Sequence, residues 1–169
     1  NKFINPNVLI AGCGTGNHIS LASRYLNANI LGIDLSLTSL AYAKRKTEEL
    51  GFKSVEFLHA DILQLKSLDR KFDVIESLGT LHHIKDPLAG LKVLLDLLEP
   101  HGFLKLGLYS KISRQHIVKG REFIKKKKLK NTIEDIRNCR ELIFNEKEDP
   151  LLQKIVYSGD FYSTSSARD

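Results

Sequence analysis

At 169 residues and 19.1 kDa the chain has enough polypeptide to enclose one hydrophobic core and too little for two full domains. Apolar residues make up 42% and charged residues 27%, ordinary globular values that exclude collagen-like repetition and argue against disorder. The net charge of +6 is unevenly spread, with 12 basic and 11 acidic side chains in residues 1–110 against 14 and 9 in residues 111–169.

Nine of the eleven glycines precede residue 110, so the chain reads as a glycine-punctuated core over 1–110 followed by a basic helical segment over 111–169. No window holds the about 18 uninterrupted apolar residues of a bilayer-crossing helix. The opening Asn1-Lys2-Phe3-Ile4-Asn5-Pro6 lacks the apolar stretch of a secretory signal, so a cytoplasmic location is expected. Two distant cysteines, Cys13 and Cys139, argue against a disulfide framework and a thiolate metal site. With Asn1 first and no Met anywhere, the sequence is expected to be a piece of a longer gene product.

Val8-Leu9-Ile10-Ala11 is an apolar run of strand length, and the glycine cluster after it opens onto a helical pattern over Ile19–Leu26. A second strand spans Asn29 to Asp34. Ser36 then caps a helix over Leu37–Leu50 ended by Gly51, with Leu37, Leu40, Ala41 and Ala43 expected inside. Strands three and four follow at Ser54–Ala60 and Phe72–Ser77. Asp86 as cap and Pro87 as first helical residue start a helix whose Leu88, Leu91, Leu95 and Leu98 form one apolar stripe. Pro100-His101-Gly102 breaks it before strand five, Phe103–Tyr109. The rest reads as helices near Ser113–Lys130, Thr132–Asn145 and Pro150–Ser158.

Five strands separated by helices predict an α/β fold with a doubly wound, mainly parallel sheet and further C-terminal helices, because parallel neighbours need crossover connections. In such sheets ligands sit beyond the carboxyl ends of the strands, which directs attention to the residues just after each strand.

The first such loop, Ala11-Gly12-Cys13-Gly14-Thr15-Gly16-Asn17, lets backbone approach a ligand closely. It departs from the dinucleotide fingerprint, which needs a third glycine where Asn17 stands, so nicotinamide cofactors lose ground. Asp34 ends strand two, where a carboxylate accepts hydrogen bonds from a ribose diol. Asp61 follows strand three, where a second carboxylate suits an exocyclic amino group. Asp34 as a simple helix cap and Asp61 as a simple turn cap are the alternatives.

Val8 to Gly16, Asp34, Asp61 and the Phe72-Asp73-Val74-Ile75 strand leading to Leu81-His82-His83 together resemble class I S-adenosylmethionine-dependent methyltransferases, over residues 7–109. The run Gly79 to Pro87 is similar to methyltransferase modules found at the end of tetratricopeptide-repeat proteins. The resemblance implies a Rossmann-like sheet with S-adenosylmethionine as cofactor. It also implies that Gly12, Cys13, Gly14 and Gly16 border the methionine part, that Asp34 holds the ribose and Asp61 the adenine amino group, and that Leu35 and Ile62 flank the ring. Ser77 and Leu78 would border the sulfonium. His82, with His83 beside it, is the candidate general base, against a plain loop histidine. The acceptor implied is a small molecule or a protein side chain.

Two departures stand out. The family commonly has an acidic residue where this chain has Ile10, and its terminal antiparallel hairpin has no counterpart after Tyr109. They support the alternative of a non-catalytic binding or interaction module that keeps the fold. The Lys125–Lys128 run with Lys130 reads as a solvated helix face. Without aromatic interleaving, nucleic acid is not the expected partner.

Overall fold

In a computed structural model, residues 4–22, 25, 27–110 and 112–162 are described here. The expectation on Leu26 lies outside them. The chain divides into two compact units, one ending at Leu108 and the other beginning at Tyr109.

The first unit is a five-stranded sheet built from β1 (Asn7–Ala11), β2 (Asn29–Asp34), β3 (Val55–His59), β4 (Phe72–Leu78) and β5 (Leu98–Gly107). Its order is β3-β2-β1-β4-β5 and every neighbouring pair is parallel. Each connection therefore crosses a face of the sheet. The helices are α1 (Asn17–Ala22), α2 (Leu37–Glu49) and α3 (Pro87–Asp96).

Alternation along β1 divides the core. Val8 and Ile10 pack with Ile19 of α1 and Leu40 of α2, whereas Leu9 and Ala11 pack with Val93 and Leu94 of α3 and with Ile62, Leu65 and Leu81. Near-continuous apolar strands are what a parallel sheet covered on both faces demands. Caps follow the sequence: the Ser36 hydroxyl accepts from Ser39 N and the Asp86 carboxylate from Ala89 N, with Pro87 in the first turn.

Three expectations change. In α3 the inward face carries Gly90, Val93 and Leu94, while Leu88 and Leu95 of the expected stripe are exposed. In α2, Leu40, Ala43 and Thr47 are buried, and Leu37 and Ala41 face solvent. Strand five begins earlier than Phe103. Phe72 registers with Leu98 and Val74 with Phe103, so Pro100, His101 and Gly102 lie in a bulge within the strand. Proline has no N–H to give a ladder, and His101 takes φ +68, which together account for the irregularity.

After β5 the described residues form helices only: α4 (Gln115–Lys127), α5 (Ile133–Asn145) and α6 (Pro150–Val156), with a short 3₁₀ turn at Gly159–Phe161. Ile143, Leu152, Ile155 and Phe161 form the small core of this second unit. Among the described residues no helix is long and apolar enough to cross a membrane.

Candidate functional site

A cavity of about 470 Å³ opens beyond the carboxyl ends of β1 to β4, within the first unit. That size and position are those of a small-ligand site in an open parallel sheet.

Its floor is the loop between β1 and α1. Gly12 N and Cys13 N both donate to Ile33 O, at 3.0 and 2.9 Å, which ties the loop to the tip of β2. Gly12 has φ +83, and a Cβ there would fall 2.1 Å from Thr80 Oγ1 and 2.7 Å from Thr80 Cβ. Gly16 has φ +92 and abuts Ala43 of α2. These two positions explain the glycines, one by the loop after β4 and one by a helix. A Cβ at Gly14, between them, would meet nothing within 4 Å.

Asp34 is held by backbone N–H groups on both carboxylate oxygens. Its Oδ2 accepts from Gly14 N at 2.8 Å and its Oδ1 from Ser36 N at 2.9 Å, so one carboxylate locks the glycine loop to the start of α2. Asp61 Oδ1 accepts from Leu63 N at 2.9 Å, capping the 3₁₀ turn over Ile62–Ser67. β2 and β3 are paired so that Asp34 registers with His59, two residues short of Asp61. Both carboxylates consequently face one hollow. His59 itself is held at Leu35 O, 2.9 Å away.

Of the residues singled out from sequence, Gly12, Cys13, Gly14, Asp34 and Leu35 line the cavity, as do Asp61, Ile62 and Leu78. Gly16 and Ser77 fall outside the lining; Ser77 is fully buried. His82 also falls outside it, and its neighbour His83 lines the cavity instead. Sequence reading passed over Thr80, which closes on Gly12 through space, and His18, in the first turn of α1. Only the tertiary fold brings Thr80 to the hollow, whereas His18 directly follows the glycine loop.

Cys13 is 2% exposed, and burial, with Asp34 beside it, pushes its thiol from 9.0 to about 12. A thiol so reluctant to ionise is no nucleophile at neutral pH. Glu76 is 2% exposed and absent from the lining. Its Oε1 accepts from the Tyr25 hydroxyl at 2.8 Å, and Lys105 Nζ lies 3.4 Å away. Burial and that bond to Glu76 push the Tyr25 hydroxyl up to about 12. Glu76 registers with Ile10 across β1 and β4, so a buried carboxylate sits one strand over from the apolar residue. No three His, Cys, Asp or Glu side chains gather as a metal site among the described residues.

A family model described as a methyltransferase domain matches residues 4–157. Over 121 residues the chain is 36% identical to an uncharacterized protein of Synechococcus sp., covering 70% of this chain and 29% of that protein. Over 141 residues it is 30% identical to a ubiquinone biosynthesis O-methyltransferase of Actinobacillus pleuropneumoniae, covering 79% of this chain and 59% of the relative. PKMT2 of Rickettsia typhi, solved in complex with AdoHcy, shares the fold with a TM-score of 0.74 at 23% identity, over 94% of this chain and 33% of that one. The chain thus spans less than two thirds of the length of each.

Proposed function

Because the chain belongs to the class I S-adenosylmethionine-dependent methyltransferases, we propose that the strand-tip cavity binds S-adenosylmethionine and that its methyl group passes to a small-molecule acceptor. The observation that carries this reading is the single hollow shared by the glycine loop, Asp34 and Asp61.

The residues present fit that group. Gly14 leaves open space where any side chain would intrude, which suits a ligand lying on the loop backbone. Asp34 is held by two backbone N–H groups yet keeps acceptor capacity for a ribose diol, since an ionised carboxylate offers about four lone-pair sites. Asp61, with one backbone partner, is the acceptor we assign to the adenine amino group, with Ile62 and Leu35 beside the ring. Gly16 acts through the loop's packing on Ala43 instead of by contact.

When bound, the sulfonium donor brings an already activated methyl group, so the protein's work is to align an acceptor and exclude water. Leu78 and Thr80 wall the cavity where β4 ends. For an acceptor that must lose a proton, His83 is the group we assign as base, supported by its place in the lining. A small-molecule acceptor is supported by the O-methyltransferase among the relatives.

Calorimetry with S-adenosylhomocysteine tests the reading. Binding by the full chain, weakened at least about 30-fold in Asp34→Ala, is expected, a loss of about 2 kcal/mol. Thermal melts of both proteins check that the variant still folds. No binding by the wild type, or equal binding by the variant, overturns the proposal. A second reading, favoured by the apolar Ile10, is a module that binds the cofactor without turnover. It expects binding but no product in a labelled-methyl screen of small-molecule and protein acceptors.

A further inference from the structure

We propose that the lysine-rich end of α4 docks the second unit onto a bilayer surface carrying acidic lipid headgroups, an inference that goes beyond the strand-tip cavity and does not depend on it. Lys125, Lys126, Lys127, Lys128 and Lys130 are all exposed, and none of their ammonium groups enters an ion pair among the described residues. Elsewhere in the same unit a lysine is paired, with Lys119 Nζ 3.4 Å from Asp149 Oδ2. Residues 121–132 hold six basic side chains and one acidic, Glu122. The acids that follow, Glu134 and Asp135, belong to the first turn of α5, where Asp135 Oδ2 is occupied by Lys130 N at 2.9 Å.

Capping explains part of the run. Cations in the last turn of a helix complement its negative end, and Lys125, Lys126 and Lys127 stand there. That effect fades beyond the turn, so it leaves Lys128 and Lys130 unaccounted for. Lys128 ends α4 at φ +56, and Leu129 N reaches back to Ile124 O at 3.2 Å, the closure in which the left-handed position is ordinarily glycine. A lysine is strained where glycine would not be. Strain kept at an exposed position points to a use for its side chain, and that use adds a fourth consecutive charge.

The chemistry of the run selects the partner. An ammonium is a compact point charge without the planar fork of arginine, so it suits attraction to a charged surface more than bidentate reading of single phosphates. The apolar side chain beside the run is aliphatic: Ile133, three positions past Lys130 in the first turn of α5, is 55% exposed. Phe123, under Lys127, packs against the small core of the unit and is not offered to a nucleic-acid base. About four to eight lysines at the end of an amphipathic helix, with an aliphatic residue at hand, match an anionic headgroup layer. Such a contact lies on the bilayer and needs no spanning helix.

Vesicle flotation of the full chain tests the proposal. One set of vesicles is phosphatidylcholine alone and the other holds about one third phosphatidylserine. Binding is expected to the second set only, and is expected to fall steeply as salt is raised. Joint replacement by Lys126→Gln, Lys127→Gln and Lys128→Gln should weaken it about 100-fold, about fivefold for each charge removed. Lys128→Gly removes one charge together with the strain, so it should bind about fivefold more weakly while melting no lower than wild type.

Absence of binding by the wild type, equal binding to both vesicle sets, or undiminished binding by the triple variant and by Lys128→Gly overturns the proposal. Tighter binding of a DNA or RNA duplex than of the acidic vesicles at the same salt also overturns it, since the run would then belong to nucleic acid.

Discussion

The sheet-built unit and the helical unit each contain a glycine with no room for a side chain, yet the two positions obey different physics. At Gly12 a Cβ would collide with the branched carbon of Thr80, and the backbone stands at φ +83. At Gly120 in α4 it would meet the terminal Cδ1 of Ile155 at 2.7 Å, on ordinary helical backbone. The first unit constrains its chain in the loop that floors the strand-tip cavity. The second merely packs helices. Glycine answers to backbone conformation and a rigid neighbour in one and to helix packing in the other.

Paired substitutions test that contrast most severely. Gly12→Ala is expected to cost about 2 kcal/mol or more, from left-handed backbone strain and the clash with Thr80. Gly120→Ala gains about 1 kcal/mol of helix propensity, offset by displacing a methyl at the end of a rotatable chain, and should fall within about 1 kcal/mol of wild type. Urea midpoints read both, and equal losses would remove the distinction.

The cysteines sharpen it next. Burial raises both thiols, Cys13 to about 12 with Asp34 adding to the shift, while Arg140 works against the rise at Cys139. A pKa raised on folding stabilises the protein below the unfolded value and loses that stability as pH climbs through the folded value. For Cys13 the window runs from 9.0 to about 12. Melting temperatures of Cys13→Ala and wild type should therefore converge or cross across that range. At pH 8 iodoacetamide should label Cys139, half-buried, before Cys13, by mass spectrometry. Labelling in the reverse order contradicts the burial described for the glycine loop.

The smallest effect belongs to the lysine run. Lys126 is exposed in the last turn of α4, so Lys126→Gln should shift stability by less than about 0.5 kcal/mol. A larger change in the thermal midpoint would mean that the run does more than face water.

Much of this architecture was written in local chemistry. Apolar runs followed by glycine, serine or aspartate marked the strand tips, and Asp86-Pro87 marked a helix start whose cap bond is present. The inward face of α3 was not legible. Leu88, Leu91, Val93, Leu94, Leu95 and Leu97 crowd ten positions, so periodicity alone cannot fix the phase, and only the shape of the sheet selects Val93, Leu94 and Leu97. Asp34 was legible because it ends an apolar strand run just before the Ser36 helix cap, although its bond to Gly14 spans 20 residues. Thr80, 68 residues from the Gly12 backbone it covers, left no local trace. The partners of Glu76 were equally illegible, because Tyr25 and Lys105 arrive from 51 and 29 residues away.

The placement of β1 has a kinetic side. It is made first and ends up central, flanked by β2 on one edge and β4 on the other. During synthesis it gains one neighbour early but waits for residue 78 to emerge before the other is complete. Until then a largely apolar ribbon has one side unprotected, which leaves the nascent chain open to association midway through the first unit.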